Sequence, residues 1–120
     1  MAKKLADDDD KAAEPLKNHL ISRKKFREFV ATHRGTEKDA PVFVRWCKTV
    51  EQAIWTTFGD VRRTFASADQ IEHLTVFNVG GNKYRVIASI QFKEKKGAWV
   101  YIKHVLTHRE YDEADWEDET

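Results

Sequence analysis

The chain has 120 residues, 41% hydrophobic and 12% aromatic, enough for one compact domain with a real core and too little for a second. No apolar run approaches the ~20 residues of a membrane helix. The opening Met1-Ala2-Lys3-Lys4 turns acidic at once, unlike a secretory signal. A single cysteine, Cys47, makes neither an internal disulfide nor a zinc cage, so the expected setting is cytoplasmic.

The net charge of +1 hides an asymmetry. Residues 112–120 carry six acids and no base, whereas residues 19–111 hold 17 Lys/Arg against 9 Asp/Glu, a net +8. A body of that charge has a field suited to a polyanion such as RNA, DNA or an acidic protein, although a simply soluble surface would look the same.

Residues 1–18 read as foreign to the domain. Asp7-Asp8-Asp9-Asp10-Lys11 matches an enterokinase site, and no amphipathic period follows it. The stretch is expected to be a tag or disordered extension, with a natural acidic leader as the alternative. The domain is expected to span 19–111. His19-Leu20-Ile21 reads as a short strand and Ser22 as a helix cap. Phe26, Phe29, Val30 and His33 then recur at the spacing of one buried helical face, with Gly35 as the stop. A second helix is predicted from Asp39-Ala40-Pro41, with Phe43, Trp46, Cys47, Val50 and Ile54 on its apolar side and Gly59-Asp60 as its breaker. Val61 to Phe65 adds at most a short turn.

From Glu72 the period changes to two. Leu74 to Val79 reads as a strand, Gly80-Gly81-Asn82 as a tight turn, and Lys83 to Phe92 as a second strand. On that strand Tyr84, Val86, Ala88, Ile90 and Phe92 share a face opposite Arg85, Ile87, Ser89 and Gln91. Glu94 to Gly97 is the next turn. Trp99 to Thr107 is a third strand, with Val100, Ile102 and Leu106 expected opposite Tyr101, Lys103 and Val105. The acidic segment 112–120 is expected to be a flexible tail. The fold class is therefore α+β, a small antiparallel sheet packed on two N-terminal helices.

No metal constellation emerges: the acids are scattered and no two histidines stand at i, i+4 on a helix. Cys47 lies on an apolar helix face and reads as a core residue. What remains is a basic sheet with two marked places. Arg85 and Lys103 stand off the most regular apolar stripe, and the last strand ends in Thr107-His108-Arg109-Glu110-Tyr111-Asp112. Cations for a phosphate, with His and Tyr to move protons, suffice for RNA cleavage by the adjacent 2′-hydroxyl without metal or cofactor. Each also has a bland reading: Arg85 as a solvated or paired cation, His108 as a surface residue.

Two local patterns go further. Val76-Phe77-Asn78-Val79-Gly80-Gly81-Asn82-Lys83-Tyr84-Arg85-Val86 and Thr107-His108-Arg109-Glu110-Tyr111-Asp112, in that order, resemble the HigB family of ribosome-dependent messenger RNA interferases, within the RelE superfamily. The start at His19-Leu20-Ile21-Ser22 is similar to the family's as well. The resemblance implies a RelE-like sheet backed by two helices, with RNA across its basic open face. It implies a toxin of a type II toxin–antitoxin system, cutting mRNA on the ribosome and paired with a helix-turn-helix, HigA-like antitoxin. By position it makes Arg85, Lys103, His108 and Tyr111 catalytic. Asn78, Asn82 and Lys83, with Arg23 and Lys24, are then expected to contact RNA. The competing readings are a basic RNA- or ribosome-binding module that does not cut, and an inactive relative that only co-represses with a DNA-binding partner.

Overall fold

A computed structural model describes residues 17–93, 96–113 and 116–117. The chain opens with β1 (His19–Ile21), followed by helix α1 (Lys24–Thr32), a 3₁₀ turn (Glu37–Asp39), helix α2 (Ala40–Gln52) and helix α3 (Phe58–Thr64). Strands β2 (Asp69–Ile71), β3 (Leu74–Val79), β4 (Tyr84–Phe92) and β5 (Ala98–Thr107) follow, and helix α4 (His108–Glu113) continues directly from β5. The architecture is α+β, as expected, with a sheet ordered β1-β5-β4-β3-β2. It is antiparallel except at one edge, where β1 lies parallel to β5.

The helical stripe behaves as its spacing dictates: Phe26 and Phe29 are buried, and His33 stacks on Phe29 at 3.8 Å. Ser22, expected to cap α1, does not. Its backbone sits at φ +76°, turning the chain from β1 into the helix, and Arg23 takes the cap position without a side-chain bond. Asp39 stands at the N-cap of α2 and Pro41 in its first turn, yet the Asp39 carboxylate serves the sheet, accepting from the Tyr84 hydroxyl at 2.5 Å. That bond holds Asp39 below the usual carboxylate range and, after burial, raises the Tyr84 phenol to about 12.

Helix α2 stops at Gln52, before Ile54, which is 41% exposed; Trp55 enters the core in its place. Gly59-Asp60 proves to lie inside α3. Thr57 and Asp60 form a reciprocal capping box, so the apparent breaker is a helix start. β2 is too short to show a period and was not anticipated.

Gly80 and Gly81 both adopt left-handed backbone, φ +67° and +69°, closing the β3–β4 hairpin as predicted. The β4–β5 ladder contains one irregularity. Ala88 pairs with Ile102 and Ile87 with His104, leaving Lys103 as an extra residue. This bulge reverses the expected alternation beyond it: Val105, not Leu106, joins Val100 and Ile102 in the main core.

The main core lies between the sheet's inner face and α1–α3, around Phe43, Trp46, Val50, Trp55, Phe77 and Val86. A second, smaller cluster covers part of the outer face: Leu74, Val76 and Ile87 beneath Trp116, flanked by Leu106 and Tyr111. The outer face is therefore not wholly open, and the segment expected to hang free from residue 112 is helical to Glu113. Trp116 beyond it is 5% exposed and its indole donates to the Tyr111 carbonyl at 3.1 Å.

At the other terminus, the boundary drawn after residue 18 falls too late. Asn18 is 5% exposed; its amide nitrogen donates to the Val50 carbonyl at 3.0 Å, and its side-chain oxygen accepts from the backbone of Trp55 and Ala98 at 3.0 and 2.8 Å. It ties α2, the following loop and β5 together. The rest of the expected extension, residues 1–16, lies outside the described residues, as do 94–95 of the β4–β5 turn. Among the described residues no helix is long and apolar enough to cross a membrane.

Candidate active site

The end of β5, the β3–β4 turn and α4 meet at one corner of the sheet, and a few hydrogen bonds fix their arrangement. Thr107 and Glu110 cap α4 reciprocally: the Glu110 amide donates to Thr107 Oγ1 at 3.1 Å, and the Thr107 amide to Glu110 Oε1 at 2.9 Å. The second Glu110 oxygen contacts His33 Nε2 at 2.9 Å, anchoring α4 to α1. Burial raises the Glu110 carboxyl, but the bonds with His33 and Thr107 outweigh it and leave the group below its ordinary value. Three residues apart on this short helix, His108 and Tyr111 share one side.

Asn82 organises what they face. Its side-chain oxygen accepts from Arg85 Nη2 at 2.7 Å, and its carbonyl from Arg85 Nη1 at 3.3 Å. The same carbonyl contacts His108 Nδ1 at 3.2 Å. Arg85 Nη1 also donates to the Tyr84 carbonyl at 3.1 Å, and the guanidinium carbon lies 5.7 Å from the centre of the Tyr111 ring. Tyr111 stacks on Trp116 at 5.4 Å. Burial, with the Asp69 charge, raises the Tyr111 phenol against the opposing pull of Arg85. His108 Nε2 meets Asp112 Oδ2 at 3.1 Å. Both ring nitrogens thus face acceptors, and the ring donates to both only as imidazolium.

The structure accordingly brings together Arg85, His108, Tyr111 and Asn82, with exposed Asn78 paired opposite Arg85 in the ladder. Arg85 is not a solvated cation: it is 8% exposed, and both terminal nitrogens bond to Asn82 or Tyr84. Lys103 stands apart, exposed at the bulge three residues before Leu106, the ladder partner of Arg85. Lys83 reaches Asp39 at 3.5 Å. Arg23 pairs with Glu51 at 3.2 Å, and Lys24 is exposed at the start of α1; neither joins the cluster. Glu110, His33 and Asp112 were missed. The Thr107-x-x-Glu110 capping signature was readable in the sequence, but the pairing with His33 across 77 positions had no signal.

Among the described residues no group of three or more His, Cys, Asp or Glu stands ready for a metal. Cys47 is buried and its thiol pushed up to about 11 by that burial, the opposite of an activated nucleophile.

Residues 40–114 match the family model described as HigB_toxin, the RelE-like toxic component of a toxin–antitoxin system. The chain belongs to the HigB toxin family. It is 31% identical over 97 residues to the mRNA interferase toxin HigB of Escherichia coli K12, an alignment covering 78% of this chain and 88% of that one. The mRNA interferases HigB of Escherichia coli O157:H7 and Shigella flexneri align with the same identity and coverage. The family match includes all of α2 to α4, and so Asn82, Arg85, His108, Glu110 and Tyr111 of the corner, but not His33 or Trp116.

Proposed function

We propose that this HigB-family chain is the toxin of a type II toxin–antitoxin system and acts as an endoribonuclease, cutting mRNA at the ribosome in the cytoplasm. The observation that carries the reading is the corner where Asn82 aligns Arg85 and His108 beside Tyr111. The HigB relatives, named mRNA interferases, supply the substrate class.

The 2′-hydroxyl attacks the neighbouring phosphorus, the P–O5′ bond breaks, and a 2′,3′-cyclic phosphate and a 5′-hydroxyl result. Asn82 accepts the Nδ1 proton of His108, which leaves Nε2 as the working nitrogen once substrate displaces Asp112. His108 takes the 2′ proton. Tyr111, held as a phenol by its raised pKa, protonates the departing 5′ oxygen. Arg85 stabilises the charge that builds on the phosphorane oxygens, exchanging its bonds to Asn82 for the substrate. These groups supply both proton transfers and the countercharge with no metal. Asn78 lies at the rim as a contact for the adjoining base, and the expected partner is a helix-turn-helix, HigA-like antitoxin.

Primer extension on a cellular transcript after brief induction tests the reading. Discrete new ends in the wild type, absent in His108→Ala and Tyr111→Phe, are expected. Arrested translation with intact transcripts would replace it with a blocking module. Failure of the adjacent small reading frame to restore growth or co-purify would remove the antitoxin.

A further inference from the structure

Away from that corner, the outer face of the sheet carries a partly exposed aromatic strip. The parallel register sets His19 beside Trp99 and Ile21 beside Tyr101. The His19 and Trp99 rings lie 5.1 Å apart and those of Trp99 and Tyr101 6.4 Å apart. Trp99 is 38% exposed, whereas Trp46, Trp55 and Trp116 are buried in the two clusters. Tyr101 continues the strip into a cleft of about 540 Å³, where Lys25, Lys103, His73 and the hydroxyl residues Ser22 and Ser89 converge and which no carboxylate lines. Among the described residues neither lysine joins an ion pair. Lys103 is there because of the bulge, and β1 ends opposite Tyr101, so beyond it α1 rather than a strand flanks β5 and brings Lys25 to the cleft.

We propose that this strip and cleft form a second subsite for single-stranded RNA, distinct from the Arg85–His108–Tyr111 corner and resting on the RNA-cleaving reading. A phosphodiester sits between Lys25 and Lys103, and the base of the next nucleotide stacks on Trp99, with Tyr101 and His19 extending the platform. Ring faces beside unpaired cations suit a strand whose bases are free to stack, which a duplex does not offer. The subsite assigns Lys103 to gripping the strand and gives the chain a hold on RNA well away from the bond that is cut.

The test is fluorescence anisotropy of a labelled single-stranded oligoribonucleotide with the full chain at low salt. Trp99→Ala is expected to weaken binding about tenfold and Trp99→Phe to restore most of it. Lys103→Gln should reduce the slope of log affinity against log salt by about 0.7. Lys103 is exposed, so its substitution should leave melting unchanged, Trp99→Phe keeps a ring in place, and a duplex of the same sequence should show no dependence on Trp99. Unchanged affinity and slope in both variants, or no binding by the wild type, would overturn the subsite. The same variants assayed by primer extension separate the two readings. Discrete cleavage with binding indifferent to Trp99 and Lys103 removes the subsite alone. Trp99-dependent binding with intact transcripts removes the nuclease alone.

Discussion

The two faces of the sheet hold their residues by different means. The inner face is closed by three helices over a continuous aromatic core, in which Phe77 meets Trp46, Trp55 and Phe65. The outer face carries a smaller cluster, Leu74, Val76 and Ile87 under Trp116, and at its border the apolar residues give way to Arg85, Asn82, His108 and Tyr111. The first face makes the fold; the second uses a small amount of packing to hold a polar site. Disturbing each should therefore have different consequences.

The largest effect on stability is expected from Phe77→Ala. Its ring is completely buried, and removing such a ring typically costs about 3–5 kcal/mol. Thermal melting should show a variant that is barely folded. Trp116→Ala is the matching change on the outer face. It should cost less, about 2 kcal/mol, because the cluster is small and can collapse. Cleavage should fall more than melting does, since Tyr111 loses the ring it stacks on. Equal losses of stability in the two variants would erase the distinction between the faces.

Arg85→Ala tests the border itself. Loss of a positioned cation should slow transcript cleavage ~100–1,000-fold. Because Arg85 is buried and bonded to Asn82 and Tyr84, the variant should also lose about 1–3 kcal/mol, visible in urea unfolding. A solvated Arg85 would lose catalysis with melting untouched; a buried one should lose both. Full stability with lost activity would restore that simpler view.

Where sequence succeeded and failed follows the same divide. The inner face was legible because Phe26, Phe29, Phe43 and Trp46 repeat with helical spacing and every second residue from Tyr84 to Phe92 is apolar or aromatic. The bulge at Lys103 was not, since an inserted residue leaves composition unchanged and reverses every side chain after it. Trp116 was lost in an acidic segment whose charge reads as solvated. At the site, two motifs named Arg85, His108 and Tyr111, but the role of Asn82 as the group aligning two of them exists only once the hairpin and α4 meet. Asn18 was discarded with the leader for the same reason: its three partners lie 32, 37 and 80 positions away. Asn18→Ala should therefore cost about 1–3 kcal/mol in unfolding experiments, as expected for orphaned buried backbone groups. Removing residues 1–16 alone should leave melting within about 2 °C. A truncation as damaging as the substitution would show that the leader packs.

The smallest expected effect concerns the clamp between the two regions, where Glu110 of α4 meets His33 of α1. The Glu110 carboxyl lies below its ordinary value of 4.5 in the folded chain, so its charged form is the one the fold favours. For a depressed acid the stabilisation is fully present above the unfolded value and disappears as pH falls through the folded one. Near neutrality Glu110 is therefore fully engaged, and its contribution should fade only below about pH 4.5. The carboxylate is 40% exposed, so solvent screening keeps the contribution small. Glu110→Gln should lower melting by a few degrees at pH 7, and the gap should close as both proteins are titrated toward pH 3. The neutral amide can still accept from Thr107, so α4 stays capped and only the charge is removed. The same variant should retain most of its cleavage, since His108 and Tyr111 keep their helix. A gap that persists unchanged at pH 3 would mean that Glu110 acts through shape rather than charge, and a role for its carboxylate charge in joining α1 to α4 would have to be abandoned.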